Sequence, residues 1–189
     1  MKKSKRRTSL KHEELCFYSE SFVNYSNLSN TNQIHALKKS LFENSEYLLG
    51  LLTSLDGIVQ SPKYHPESDA LYHTLQVFEQ AYQDSTDPEL LLAALFHDVG
   101  KSIDSKRHAK IGAEMISDFF PYRVVWLVEH HLDLMVSPRK TQQRLANSLQ
   151  LKDLVKLRAW DLGGRSPTAN VCTPSEALDI IYSLVSKQV

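Results

Sequence analysis

At 189 residues the chain is long enough to bury one hydrophobic core without disulfide bonds, and its length is typical of a single domain. Apolar residues make up 42% of the sequence, a fraction that excludes wholesale disorder. Lysine plus arginine equals aspartate plus glutamate, at 22 each. This balance gives no electrostatic argument for a membrane surface as a partner, and it does not indicate a nucleic acid.

The cysteines and the N-terminus indicate a cytoplasmic protein. Cys16 and Cys172 are too few for a disulfide framework, and their separation does not fit a zinc-binding motif. Residues 1–7 are basic, but polar and charged residues at 11–14 interrupt the apolar segment that a signal peptide requires. No window approaches the roughly 18 apolar residues of a membrane span. We expect a basic tail and a loosely attached helix over 1–30, followed by one domain over 31–189.

The first half of the predicted domain consists of two helices and a loop. Apolar residues at spacings of three and four predict a helix over 33–55. A polar stretch that contains Pro62 and Pro66 interrupts this pattern and predicts a structured loop over 58–69. A second helix is predicted over 70–82.

The remaining helices are marked by their end signals. Asp87 supplies an N-cap and Pro88 the first helical residue of a helix that Gly100 is expected to end. Thr173 and Glu176 form a capping box at the start of the last helix. Because sustained strand alternation is lacking in the sequence, we predict an all-α fold, a single-domain helical bundle. Its further helices are predicted over 108–120, 122–132, from 138, over 151–162 and over 174–185.

Residues 88–98 carry the first candidate for chemistry. Their leucines and Phe96 surround the predicted helix on nearly every side, which is typical of a helix buried in the middle of a protein. Its last turn nevertheless ends in His97 and Asp98. A buried carboxylate needs a cationic partner, and a metal ion with imidazole as a further ligand supplies one. A hydrogen bond to His97 or a salt bridge to Lys101 would serve equally well.

Four more polar residues fall on inward faces of other predicted helices. His73 lies at the edge of an apolar face, and His108 and Asp161 lie on the inner faces of theirs. His131 follows the apolar face of its helix, whereas His130 falls beside Arg123 on the polar side; His130 is the alternative ligand if the helix phase is shifted. Each residue alone could be a hydrogen-bonded core residue. Together they predict a metal site of the kind that helical bundles build from facing helices.

The order His73, His97-Asp98, His108, His131, Asp161 resembles the HD superfamily of metal-dependent phosphohydrolases. The stretch His-Pro-Glu-Ser-Asp at 65–69, followed by His73-Thr74-Leu75, is similar to the HD domain of bacterial CCA-adding tRNA nucleotidyltransferases. The resemblance covers about 60–170. No Gly-Ser with paired carboxylates, the mark of the nucleotidyltransferase domain, precedes residue 60. We therefore expect a free-standing HD domain.

The resemblance implies two divalent metal ions, with iron, manganese, cobalt, zinc and magnesium all open. It implies that His73, His97, Asp98 and Asp161 hold one ion, and that His108 and His131 hold a second one bridged by Asp98. Water activated by the ions then attacks phosphorus, which makes Asp98 catalytic.

Three further residues are candidates for substrate binding. Lys101, also a candidate catalytic residue, lies at the mouth of the expected site, where it could neutralise phosphate charge. Arg165 could bind a phosphate bidentately, and His65 could line the entrance. The alternatives are solvent-exposed charges for Lys101 and Arg165 and a purely structural loop for His65.

Three functions remain open from the sequence. The first is hydrolysis of a phosphate mono- or diester, with a nucleotide or a small phosphorylated metabolite as the partner. The second is a diiron HD-type oxygenase acting on a small phosphonate or polyol, since the same ligands suit iron. Such oxygenases more often carry histidine where this chain has Lys101, which favours hydrolysis. The third, a regulatory module without catalysis, is weakened because every ligand position is filled.

Overall fold

The computed structural model describes residues 31–188, and residues 1–30, with the predicted tail and first helix, lie outside the described part. Within it the protein is all α-helical, which confirms the predicted fold class. No helix of this part is both long and apolar enough to cross a membrane. The helices are α1 (Thr31–Glu43), α2 (Ser45–Thr53), α3 (Ala70–Asp84), α4 (Pro88–Phe96), α5 (His108–Ile116), α6 (Tyr122–His130), α7 (Asp133–Val136), α8 (Pro138–Arg144), α9 (Leu149–Gly163) and α10 (Pro174–Ser186).

Helix α4 is the centre of the bundle. All of its residues are buried, and it packs against α3, α6, α9 and α10. The predicted cap is confirmed: Asp87 accepts a hydrogen bond from the Glu89 backbone N–H, and Pro88 opens the helix. Because α4 is enclosed on all sides, the residues that follow its last turn are delivered into the interior of the protein.

Several predicted helix boundaries differ from the structure. The helix expected over 108–120, for example, ends at Ile116, and two further differences lie at Asn44 and at Gly100. The helix expected over 33–55 is broken at Asn44, whose side chain donates to the Ser40 carbonyl, and both halves thereby lie against α10. Gly100 does not end α4, which stops at Phe96. Instead, Gly100 lies inside a short 3₁₀ turn, Val99–Ser102, that packs against α5.

The loop between α2 and α3 is structured, as predicted. Val59 and Asp69 form an isolated antiparallel bridge, and the Gln60 N–H donates to the Ser68 carbonyl at 2.7 Å. The Asp69 carboxylate caps α3 through the Tyr72 N–H and also accepts from the Gly57 N–H, each at 2.8 Å. These contacts fix the start of α3 and with it the position of the residues that follow.

Arg123, which the helical wheel places on the polar side of its helix, is buried. Its guanidinium donates to Asp153, Asp87 and Glu89 at N···O distances of 2.9, 2.7 and 3.0 Å. Burial lowers the pKa of Arg123, but the hydrogen bonds and charges of Asp153 and Asp87 raise it by more. The wheel is wrong here because it considers one helix alone, whereas the carboxylates that bury Arg123 belong to other segments.

Candidate metal centre

Asp98 is the second residue after the end of α4. It lies among four histidines and is 2% exposed. Its Oδ1 is 3.1 Å from His108 Nε2 and 3.8 Å from His131 Nε2. Its Oδ2 is 3.3 Å from His97 Nε2 and 3.9 Å from His73 Nε2. The two oxygens of one carboxylate therefore face two different pairs of imidazoles.

Each side of Asp98 has the donor spacing of a metal site. The ligand atoms of His73, His97 and Asp98 lie within 4.8 Å of one another, as do those of Asp98, His108 and His131. Asp161 joins the first group, because its Oδ1 is 3.2 Å from His73 Nε2. The structure thus brings together all six residues that the sequence proposes as ligands.

The ring orientation of these four histidines is fixed by backbone contacts at Nδ1, the ring nitrogen that does not face Asp98. Each Nδ1 lies 2.7–2.9 Å from a backbone carbonyl oxygen, which can only accept, so each Nδ1 carries the proton. The Nε2 lone pairs then point toward Asp98, the arrangement that metal-binding histidines use. The pairs are His73 with Gly164, His97 with Ala94, His108 with Ser105, and His131 with Val128.

The buried nitrogen atoms need a cation between them. Nε2 of His73 and of His97 is buried without a hydrogen-bond partner among residues 31–188. Nε2 of His108 and of His131 lie 3.1 Å apart, so two lone pairs face each other. Only a proton or a metal ion relieves this repulsion, and an imidazole and carboxylate donor set suits a divalent transition metal. The residues present therefore fit the ions that the family resemblance implies.

The pKa shifts in the site keep the carboxylates of Asp98 and Asp161 charged and the ring of His131 able to bind a metal ion. Burial raises the pKa of Asp98, but His97 and Lys101 lower it by more and hold it well below its usual range. Burial likewise raises the pKa of Asp161, which His73 and His97 bring below its usual range. Burial and the neighbouring His97 lower the pKa of His131 to about 3, so its ring is neutral and able to bind metal at physiological pH.

His97 behaves differently from His131. Burial lowers its pKa, but the charges of Asp98 and Asp161 raise it by more, so the net pKa lies above the usual value. A proton and a metal ion consequently compete for His97 Nε2.

Lys101 lies in the 3₁₀ turn after Asp98, and its side chain is 12% exposed. The ammonium donates to Asp98 Oδ2 and to Gln60 Oε1. This is the salt bridge to Asp98 that the sequence left open, and Lys101 is not the solvent-exposed charge that was the other alternative. Sequence reasoning missed Gln60, since it lies on a loop without helical periodicity.

The substrate-binding candidates line one cavity of about 410 Å³. The cavity reaches Asp98 and is bordered by Lys101, Arg165 and His65. Arg165 donates to Asp161 Oδ1 at 3.3 Å and to a loop carbonyl at 3.1 Å, so its guanidinium is held at the cavity wall. The volume of the cavity lies within the range of small-molecule sites, about 300–1,000 Å³.

Glu67 is a site residue that sequence reasoning quoted in a motif without assigning it a role. Its side chain is fully buried, and Oε1 lies 2.8 Å from His65 Nδ1 and 2.9 Å from His73 Nδ1. A carboxylate behind a metal-binding histidine orients the ring and increases its basicity. The available signal was the acid in the His-Pro-Glu-Ser-Asp stretch, but without periodicity nothing indicated that it faces inward.

We expect Glu67→Gln to weaken metal binding while the protein remains folded. Loss of a carboxylate behind a ligand histidine costs about 10–100-fold in metal affinity. A Co²⁺ titration followed by visible absorbance measures the dissociation constant, and circular dichroism checks the fold. Glu114→Gln, at an exposed position on α5, is the matched control and should bind Co²⁺ like the wild type. Equal affinities in the two variants would refute the role of Glu67.

The structure places His131, and not His130, beside Asp98. His130 Nδ1 lies 3.0 Å from Asp133 Oδ2, and the His130 side chain is 25% exposed. Its ring packs on Trp126, with centroids 4.4 Å apart. His130 therefore points away from the candidate ligands.

We expect His131→Ala to lower the occupancy of one of two metal ions by at least about tenfold. Removing the hydrogen-bond partner of a metal ligand already costs about tenfold in metal affinity, and removing the ligand itself should cost no less. His130→Ala should leave both occupancies unchanged, since its ring is turned toward Asp133. Elemental analysis after dialysis against limiting metal distinguishes the two variants. Loss of metal in His130→Ala alone would assign His130 as the ligand.

Two glycines allow the site to close. A Cβ on Gly100 would lie 2.2 Å from the His108 carbonyl oxygen and 2.6 Å from the Gly112 nitrogen. A Cβ on Gly164 would lie 2.9 Å from the Val77 nitrogen. The first contact holds the turn after Asp98 against the start of α5. The second brings the Gly164 carbonyl close enough to α3 to accept from His73.

Comparison with known proteins shows what this chain is similar to. A family model described as "HD domain" matches residues 70–162. The chain is 32% identical over 113 residues to a multifunctional CCA protein of Hahella chejuensis. This alignment covers 56% of the chain and 27% of that protein. Proteins of the same name from Methylococcus capsulatus and Thioalkalivibrio sulfidiphilus are 47% identical over 49 residues and 53% identical over 47, each over 12% of their length. The chain thus aligns with at most 27% of these relatives.

Proposed function

We propose that this protein hydrolyses a phosphate mono- or diester, as a member of the metal-dependent phosphohydrolases to which the HD domain model matching residues 70–162 points. The observation that carries the proposal is the convergence of four imidazole Nε2 atoms on the two oxygens of Asp98. We propose a nucleotide or a small phosphorylated metabolite as the substrate. The cavity size and the likeness to multifunctional CCA proteins support this choice.

We propose two divalent ions, one on each side of Asp98. The first would be held by His73, His97, Asp98 and Asp161, and the second by Asp98, His108 and His131. When bound, such a pair supplies Lewis acidity for the phosphoryl group and brings the pKa of water near neutrality. Ligand type alone does not choose among iron, manganese, cobalt and zinc, and magnesium fits least because it prefers oxygen ligands.

The remaining polar residues of the cavity would bind and orient the substrate. Lys101 is tied to Asp98 and Gln60, so its charge is held at a defined point beside the ligand cluster. Arg165 lines the same cavity, where Asp161 and a loop carbonyl hold its guanidinium in place. Both offer donors, which the non-bridging oxygens of a phosphate ester require.

Hydrolysis with and without metal tests the proposal. The protein is treated with a chelator, reconstituted with one metal at a time, and assayed on p-nitrophenyl phosphate, bis(p-nitrophenyl) phosphate and a nucleotide panel. We expect phosphate release that disappears with the chelator and returns with a transition metal. Oxygen uptake by the iron-loaded protein without phosphate release would instead assign the oxygenase, and no turnover in any assay would refute an enzymatic role.

A further inference from the structure

We infer that His65 accepts a hydrogen bond from a hydroxyl group of the substrate, so that the cavity selects phosphate esters bearing a hydroxyl near the phosphorus. The inference rests on the proposed phosphohydrolase function and names a class of substrate for the same site. Its first premise is that Nδ1 of the His65 ring carries the proton.

The proton position on His65 is determined by Glu67. An ionised carboxylate has no proton to donate, so the contact of 2.8 Å between His65 Nδ1 and Glu67 Oε1 requires a proton on Nδ1. The same oxygen lies 2.9 Å from His73 Nδ1, which also carries a proton. In the neutral ring Nε2 of His65 is therefore an acceptor.

The loop around His65 holds the ring in place. The His65 N–H donates to the Ser61 carbonyl and the His65 carbonyl accepts from the Ser68 N–H, each at 2.9 Å. Arg165 donates to the neighbouring Tyr64 carbonyl at 3.1 Å. The ring stands edge-on to His73, with centroids 4.8 Å apart and an interplanar angle of 85°. A rotated ring would lose the bond to Glu67.

The other edge of the ring borders the cavity. His65 lines the cavity, and its side chain is 18% exposed. Nε2 has no hydrogen-bond partner within residues 31–188, and it is not among the buried unpaired atoms of that part of the chain. Nε2 of His65 is thus a hydrogen-bond acceptor in the cavity wall, beside the candidate ligand His73.

The neighbours of this acceptor decide what it can bind. Lys101 and Arg165, on the same cavity wall, are pure donors and match phosphate oxygens. His65 Nε2 has a lone pair and would repel a phosphate oxygen. It requires a donor, and in a phosphate ester a hydroxyl group supplies one.

Two phosphates that differ by one hydroxyl test the inference. Zn²⁺-loaded protein is assayed at pH 8, where an ordinary imidazole is neutral, with 2-hydroxyethyl phosphate and ethyl phosphate. One hydrogen bond should favour the hydroxylated ester by about threefold to tenfold in kcat/KM. His65→Phe should bring the ratio to about one at unchanged zinc content. Lys106→Met, at another cavity position, is the control and should keep the wild-type ratio.

A spectroscopic measurement reports on the ring independently of turnover. The ¹⁵N chemical shifts of the His65 imidazole in the Zn²⁺-loaded protein should show the Nδ1–H tautomer, and a shift of Nε2 on adding 2-hydroxyethyl phosphate. The Nε2–H tautomer, or an equal preference in wild type and His65→Phe, would overturn the inference.

Failure of the proposed function would look different. If neither ester is hydrolysed and the aryl phosphates and the nucleotide panel also give no turnover, the proposed function fails. The ratio of the two dissociation constants from calorimetry then decides the inference alone. A ratio near one, or no binding of either phosphate, would overturn it.

Discussion

Asp98→Ala should remove both metal ions and abolish phosphate ester hydrolysis. Asp98 is the only residue in the described part of the chain whose two oxygens face both groups of candidate ligands. Loss of a residue behind a metal ligand already costs about 10–100-fold in affinity, so loss of a ligand shared by both ions should cost at least a hundredfold for each. Elemental analysis and turnover under metal-saturating conditions measure the two effects.

The control for Asp98→Ala is Asp118→Ala, which removes an exposed carboxylate from the turn that follows α5. It should retain wild-type metal content and turnover. Full metal content in Asp98→Ala would mean that the ligand cluster has been assigned wrongly. Full metal content with lost turnover would keep Asp98 in the reaction but exclude it as a shared ligand.

Among the glycines of residues 31–188, Gly100 is the one whose replacement by alanine should cost the protein the most stability. Its Cβ would meet the backbone of His108 and Gly112, which cannot rotate away as a side chain can. Overpacking costs about 1–3 kcal/mol, and a rigid backbone contact belongs at the upper end. With about 2–4 °C per kcal/mol for a chain of this size, the melting temperature should fall by roughly 6–12 °C.

A second glycine provides the matched control for this prediction. Gly50 lies inside α2, and a Cβ there would meet nothing within 4 Å. Because alanine is up to about 1 kcal/mol better than glycine in a helix, Gly50→Ala should raise the melting temperature by a few degrees. Gly100→Ala should also weaken metal binding through His108, whereas Gly50→Ala should not. Equal melting temperatures in the two variants would contradict the account of the turn.

The helical part of the site could be predicted because periodicity reports which way a side chain points. His97 and His131 follow the last residues of α4 and α6, and both keep helical backbone angles, with φ of −57° and −58°. The helical wheel therefore remains valid for one residue beyond each helix. This is why the choice of His131 over His130 agrees with the structure.

Residues outside the helices could not be predicted in the same way. Gln60 and Glu67 lie on the loop before α3, where no period relates sequence position to direction. Their positions depend on the bridge between Val59 and Asp69 and on the partners that reach them from other segments. The helical wheel failed to predict the burial of Arg123 for a related reason, since the carboxylate partners of Arg123 are distant in sequence.

Anomalous scattering from crystals loaded with manganese or zinc tests the central claim most directly. We expect two peaks about 3.5–4 Å apart, the separation of binuclear hydrolytic sites. One should lie among His73, His97, Asp98 and Asp161, and the other between Asp98, His108 and His131. A single peak, or peaks away from Asp98, would contradict a binuclear site bridged by this residue.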